Sequence, residues 1–169
     1  MVRTPRPAST DRPRRLGSLS SGGGAGAAAA RYRLSRFVID ASAAVELLLR
    51  TPIGRRVQEL VEGSFVMAPA LLDVEVLSVL RRAVLKKGLS EARASLALED
   101  LSDWPIDRIP HTALIREAWR HRHNVTAYDA FYVAAARLYE ASLLTIDGPL
   151  SRAPALGIEI RNLRLEQGP

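Results

Sequence analysis

The sequence predicts an α/β fold of three layers, with helices on both faces of a central, mainly parallel sheet. Three observations carry that expectation. Short apolar runs without polar alternation, FVID at 37–40 the clearest, read as strands buried on both sides. Stretches of helical periodicity separate them, the pattern of strands joined by helical crossovers. And 169 residues give room for one domain with a substantial core.

Taken in order, FVID is followed by a helix over 41–50 (ASAAVELLLR) and another over 54–62, parted by Thr51-Pro52. SFVMA (64–68) is the second strand, stopped by Pro69. The longest helix covers 70–87 and ends on Lys86-Lys87-Gly88, cations in the last turn and glycine just beyond. Ser90 caps a further helix to about Leu101, with Glu91 in its first turn. Ile106–Ile109 makes a short strand before Pro110. Helices begin at Thr112 and Thr126 and run to His121 and Tyr139. SLLTI (142–146) is a strand, Asp147-Gly148-Pro149 a turn, and IEIRNL (158–163) the last strand.

Residues 1–35 read as a separate, disordered tail: RTPRPASTDRPRRL, then the low-complexity SLSSGGGAGAAAA, with nothing to build a core. Arg14-Arg15 before a Gly/Ala stretch matches the start of a twin-arginine export signal. Leu16 and Leu19 are the stretch's only large apolar residues, which argues against one. An over-long choice of translation start, with the folded protein beginning near Leu34, fits better; a basic arm that attracts RNA is the third reading. The folded domain is expected over 36–165.

Charge divides along the same line. The formal net charge is +6, yet residues 1–36 hold eight Arg against one Asp, and the remainder carries 16 basic and 17 acidic residues. The high pI therefore belongs to the tail and gives no ground for a general nucleic-acid-binding surface on the domain. The absence of cysteine excludes disulfides, thiolate zinc sites and cysteine nucleophiles, and suits a reducing cytoplasm. No stretch approaches the ~20 apolar residues of a membrane span.

Four carboxylates carry the functional reading: Asp40 in FVIDAS, Glu75 in LLDVEVLSVL, Asp129 in TAYDAFYVAAA and Asp147 in LLTIDGPL. Two end strand-like runs and two lie near the starts of helices, which would gather all four at one edge of a parallel sheet. Bare charges ~4–5 Å apart repel by roughly 3–4 kcal/mol at an effective dielectric of ~20. Such a set either retains protons or binds a divalent cation. Each residue also has a local explanation. Asp40 suits a helix N-cap; Asp129, three residues after Thr126, fits a capping box; Asp147 before Gly-Pro is good turn chemistry. Glu75 borders the buried arc of Leu72, Val76, Val79, Leu80 and Ala83, and spacing leaves Asp73 its equal.

The blocks FVIDASAAVELLL, APALLDVEVLSVLRRAV, TAYDAFYVAAARL and LLTIDGPLSRA resemble, in order and spacing, the four motif blocks of PIN-domain ribonucleases, most closely the VapC toxins of type II toxin–antitoxin pairs. The resemblance runs from about Phe37 to Asn162. It implies the α/β/α PIN-like fold and matches Asp40, Glu75, Asp129 and Asp147 to the family's acidic positions, favouring Glu75 over Asp73. Ser42 and Thr145 match small hydroxylic positions beside the carboxylates. It further implies Mg²⁺ or Mn²⁺ as cofactor, hydrolysis of RNA by activated water, a VapB-type antitoxin as partner and a homodimer. Val45, Leu47, Leu48 and Leu49 would line an antitoxin groove or simply fill the core.

Other features carry less. His121-x-His123 lies at a helix end with no evident third ligand, so a favourable helix C-terminus interaction is expected rather than a metal. Arg81, Arg82, Arg116, Arg120 and Arg122 could meet RNA phosphates, but exposed helix faces are charged by default. A haloacid-dehalogenase-type phosphatase would need a second Asp where Ser42 stands. A receiver domain would need paired acids and a late Lys, and no phosphate-cradling glycine motif follows a strand. The alternative from another class is a PIN-like RNA- or protein-binding module with negligible nuclease activity.

Overall fold

A computed structural model of the chain describes residues 35–153 and 155–166. The reading of residues 1–35 as a disordered tail, with its export-signal, start-site and basic-arm variants, lies outside the described residues but for Ser35. Strands β1 (Arg36–Ile39), β2 (Phe65–Pro69), β3 (Asp107–Ile109), β4 (Ser142–Thr145) and β5 (Ile160–Asn162) form one sheet in the order β3-β2-β1-β4-β5. Every neighbouring pair is parallel. The helices are α1 (Ala41–Leu48), α2 (Pro52–Val61), α3 (Leu71–Leu85), α4 (Glu91–Asp103), α5 (His111–Arg120), α6 (Ala127–Leu138) and the single turn α7 (Gly148–Ser151).

Phe37, Val38 and Ile39 are buried in succession, so β1 is covered on both faces. α1 packs against α2, α3 and α4; α5 packs against α6, and α6 lies along β1, β2 and β4. The α6 run Val133-Ala134-Ala135-Ala136 is fully buried, its small side chains letting the helix approach the sheet closely. Val45 and Leu48 are core residues, and Leu47 and Leu49 pack partly buried against the core. The chain steps outward from β1 to β2 and β3, then returns across β1 to β4 and β5. The order thus reverses between β1 and β4, and a crevice opens outside the carboxyl ends of strands at such a switch point.

Local boundaries shift where capping was read too loosely. Thr51-Pro52 is not a spacer: Thr51 caps α2, accepting from Gly54 N at 3.0 Å, and Pro52 is its first residue. Asp147-Gly148-Pro149 is the capped start of α7 rather than a free turn. α3 closes with Gly88 N–H on Ala83 O at 3.0 Å and Lys87 N–H on Val84 O at 2.8 Å, so the left-handed residue is Lys87 (φ 58) and not the glycine.

Gly54 sets the α1–α2 approach. A Cβ built there would lie 1.9 Å from the Glu46 carbonyl oxygen, a backbone atom that cannot swing aside. Gly54→Ala is expected to cost about 3 kcal/mol, at the upper end of overpacking effects, because the two helix backbones must part. A urea unfolding midpoint equal to that of the parent would refute this.

Candidate active site at the sheet switch point

β1 and β4 are neighbours, and each hands its chain to a helix through an aspartate. Asp40 follows β1 and caps α1, Oδ1 accepting from Ala43 N at 2.9 Å. Asp147 follows β4 and caps α7, Oδ1 accepting from Leu150 N at 3.1 Å. α3 supplies Glu75 from its second turn and α6 supplies Asp129 from its first. All four line one pocket of about 370 Å³, with Ser42, Leu71, Val74, Ser78, Val79, Arg82, Tyr128 and Tyr132 among its other walls.

Asp40 is 6% exposed and is the most constrained of the set. Ser42 Oγ donates to its Oδ1 at 2.7 Å, and Thr145 Oγ1 donates to its Oδ2. Both hydroxyls are themselves oriented from behind, Ser42 accepting from Ile146 N at 3.1 Å and Thr145 from Asp147 N at 2.9 Å. The backbone leaving β4 thus fixes two hydroxyl rotors, which in turn fix the carboxylate at the end of β1. Burial pushes the Asp40 carboxyl up to about 6; the bonds from Thr145, Ala43 and Ser42 oppose that, and the Asp147 charge adds to it.

Glu75 accepts from the Tyr132 hydroxyl at 2.5 Å. Desolvation raises its pKa and the bond from Tyr132 opposes the rise, with the Asp129 charge a smaller addition. The Tyr132 hydroxyl is held protonated by its burial and by Glu75. Asp129 takes the Thr126 hydroxyl at 2.7 Å while Thr126 accepts from Asp129 N at 3.2 Å. The expected capping box is therefore half formed: its return leg ends on the hydroxyl instead of the Thr126 backbone N–H.

Asp73, the rival to Glu75, faces elsewhere. Arg108 Nε donates to both of its oxygens, at 3.0 and 2.8 Å, and the same guanidinium holds Leu101 O at 2.7 Å at the end of α4. Asp73 thereby joins α3 to β3 and α4. His121 ends α5 buried, its Nε2 3.6 Å from Glu117 Oε1, and Glu117 is paired with Arg120 and Arg137. Sequence reasoning missed that buried acid, and missed Tyr132 as a partner of Glu75. The latter had a signal: Tyr132 follows Asp129 by three, on the same helix face.

The donor set suits a hard divalent cation, being four carboxylates with no sulfur or imidazole among the pocket residues. The carboxylates share a pocket without meeting. Among the described residues no three acidic or imidazole groups stand close enough to ligate one ion; Asp40, Glu75 and Asp129 each turn to a hydroxyl, and Asp147 to its cap.

Comparison with known proteins follows the same outline. The family model for the PIN domain matches residues 37–156. Ribonuclease VapC1 of Mycobacterium tuberculosis H37Rv is 44% identical over 129 residues, covering 75% of this chain and 97% of that protein. Ribonuclease VapC12 of the same strain is 37% identical over 123 residues, covering 73% and 95%. Among solved structures, VapBC2 from Rickettsia felis bound to a DNA fragment from its promoter superposes with a TM-score of 0.52 at 11% identity, covering 75% of this chain and 97% of that one. Among the described residues no helix is long and apolar enough to cross a membrane.

Proposed function

The chain belongs to the PIN-domain family and is of VapC type, and on that premise we propose that it is a divalent-metal-dependent endoribonuclease, the toxin of a toxin–antitoxin pair. The observation that carries this is the pocket at the sheet switch point, lined by Asp40, Glu75, Asp129 and Asp147. These four carboxylates would hold Mg²⁺, or Mn²⁺ in its stead. When bound, the ion would lower the pKa of a water and offset charge growing on the phosphoryl oxygens.

The chain's own part is orientation. Asp40 is fixed by Ser42 and Thr145 before any ligand arrives, while Glu75 and Asp129 rest on donors that they can leave. Water attacks phosphorus and the bond to the 3′ oxygen breaks, leaving a 5′-phosphate and a 3′-hydroxyl. The pocket holds no His or Lys to work on the ribose 2′-hydroxyl, in keeping with that route. The partner is expected to be a VapB-type antitoxin that covers the pocket; a homodimer and a cytoplasmic setting complete the reading.

The test is cleavage of total cellular RNA by the purified chain with Mg²⁺, with Mn²⁺ or with EDTA. Discrete fragments are expected with metal and none with EDTA. Asp129→Asn and Glu75→Gln should each lower the rate at least a hundredfold, as expected when a group that stabilises the transition state is removed. Asp73→Asn should keep the rate and lose only some stability. Loss at Asp73 with retention at Glu75 would show that the wrong acid of α3 was chosen. Intact RNA throughout, from folded and metal-loaded protein, would favour the binding-module reading.

A further inference from the structure

The same pocket is chemically divided, and the division describes a nucleotide. Its floor is anionic. Its rim is not: Tyr128 is 61% exposed and Val74 65% exposed, and both line the pocket beside Leu71. One cation belongs to the lining, Arg82, which is exposed and whose guanidinium makes no hydrogen bond or ion pair among the described residues. Arg108, bound to Asp73, and Arg122, over the Trp119 ring at 5.3 Å, do not line this pocket.

Helix geometry orders these parts. Glu75, Ser78, Val79 and Arg82 follow one another at helical spacing and form one wall. Arg82 lies two turns from Glu75, about 10 Å along α3. A phosphate at the carboxylates therefore has an aromatic face within one residue of Asp129, and a free guanidinium two turns away for a neighbouring phosphate. An exposed tyrosine with a free hydroxyl beside a catalytic acid offers an unstacked base what water cannot, a flat apolar surface.

We propose that Tyr128 is the platform on which the base beside the scissile phosphate stacks, and that Arg82 holds an adjacent phosphate, so that these two residues position RNA over the carboxylates. This rests on the nuclease reading and adds to it the substrate-positioning residues. Both side chains are exposed, so their replacement leaves the core intact.

The experiment measures binding of a short fluorescein-labelled single-stranded RNA of mixed sequence to full-length Asp129→Asn protein with Mg²⁺, so that nothing is cut, alongside cleavage in the native background. Adding Tyr128→Ala should weaken binding roughly five- to hundredfold, and Tyr128→Phe should preserve it. Arg82→Ala should lower the slope of log affinity against log salt by roughly 0.7, the share of one phosphate on a single strand, with Arg82→Lys restoring it. The same RNA annealed to its complement should bind with no dependence on Tyr128. In cleavage, both alanine variants should raise KM more than they lower kcat. If the parent binds and cuts RNA while Tyr128→Ala and Arg82→Ala match it, the positioning inference falls and the nuclease stands. If the parent neither binds nor cuts, both fall together.

Discussion

Asp40→Asn is expected to abolish RNA cleavage and, without metal, to make the protein more stable. The carboxyl is buried, and its pKa rises on folding from 3.8 to about 6, mainly by desolvation. Below pH 3.8 the folded and unfolded forms both carry the proton and nothing is lost. As pH rises towards about 6 the unfolded carboxyl has released its proton while the folded one holds it, so stability falls through this window and stays low above it. The full difference is at most about 3 kcal/mol. Asparagine does not titrate, keeps an oxygen for Ala43 N and Ser42, and forfeits about 1 kcal/mol at the Thr145 hydroxyl. The net expected gain in EDTA at neutral pH is about 1–2 kcal/mol, vanishing near pH 4. Saturating Mg²⁺ should reverse the order, since ligand at a hundred times its Kd adds about 2.7 kcal/mol to the form that binds it. Urea unfolding on both sides of the window, with Mg²⁺ or EDTA, checks each limb. Parallel stability–pH curves for the two proteins would sink the account.

The same residue shows why the sequence was legible at this site and where it stopped. Capping and site formation are compatible readings of one aspartate, because a carboxylate has two oxygens. Asp40 gives Oδ1 to Ala43 N and Oδ2 to Thr145; Asp147 caps α7 and still lines the pocket. The strand-then-acid pattern was enough to bring these two together, since the topology puts β1 beside β4. Helical periodicity could not separate Asp73 from Glu75, because what separates them is Arg108, 35 positions beyond Asp73 and on another element. Nor could it find Glu117 buried, since its partners Arg120 and Arg137 come from two helices. A wheel sees one helix; pairing across elements is a tertiary fact. The end of α3 shows the limit of the glycine rule, for Lys87 takes the left-handed position with glycine next to it.

The second large effect is expected at Thr145, which touches no bulk solvent and links the Asp40 carboxylate to the backbone of Asp147. Its hydroxyl donates to Asp40 and accepts from Asp147 N, so it fixes the end of β1 relative to the end of β4. Thr145→Val keeps the shape and β-branching but leaves a backbone N–H and a carboxylate oxygen short of a partner. Each orphaned group costs about 1–3 kcal/mol, so a loss of about 2–6 kcal/mol in stability is expected. Cleavage should fall tenfold or more, because the Asp40 carboxylate loses the donor that orients it against the end of β4. A merely structural role would predict the stability loss alone. A positioning role predicts more: the bond from Thr145 lowers the Asp40 pKa, so without it the carboxyl must hold its proton to a higher pH. Followed in EDTA, the fall in stability with pH should therefore extend to higher pH in Thr145→Val than in the parent. Thr145→Ser retains the hydroxyl and should return both cleavage and the pH window towards the parent values. Equal behaviour of the valine and serine variants, in rate and in window, would show that the hydroxyl does not act through Asp40.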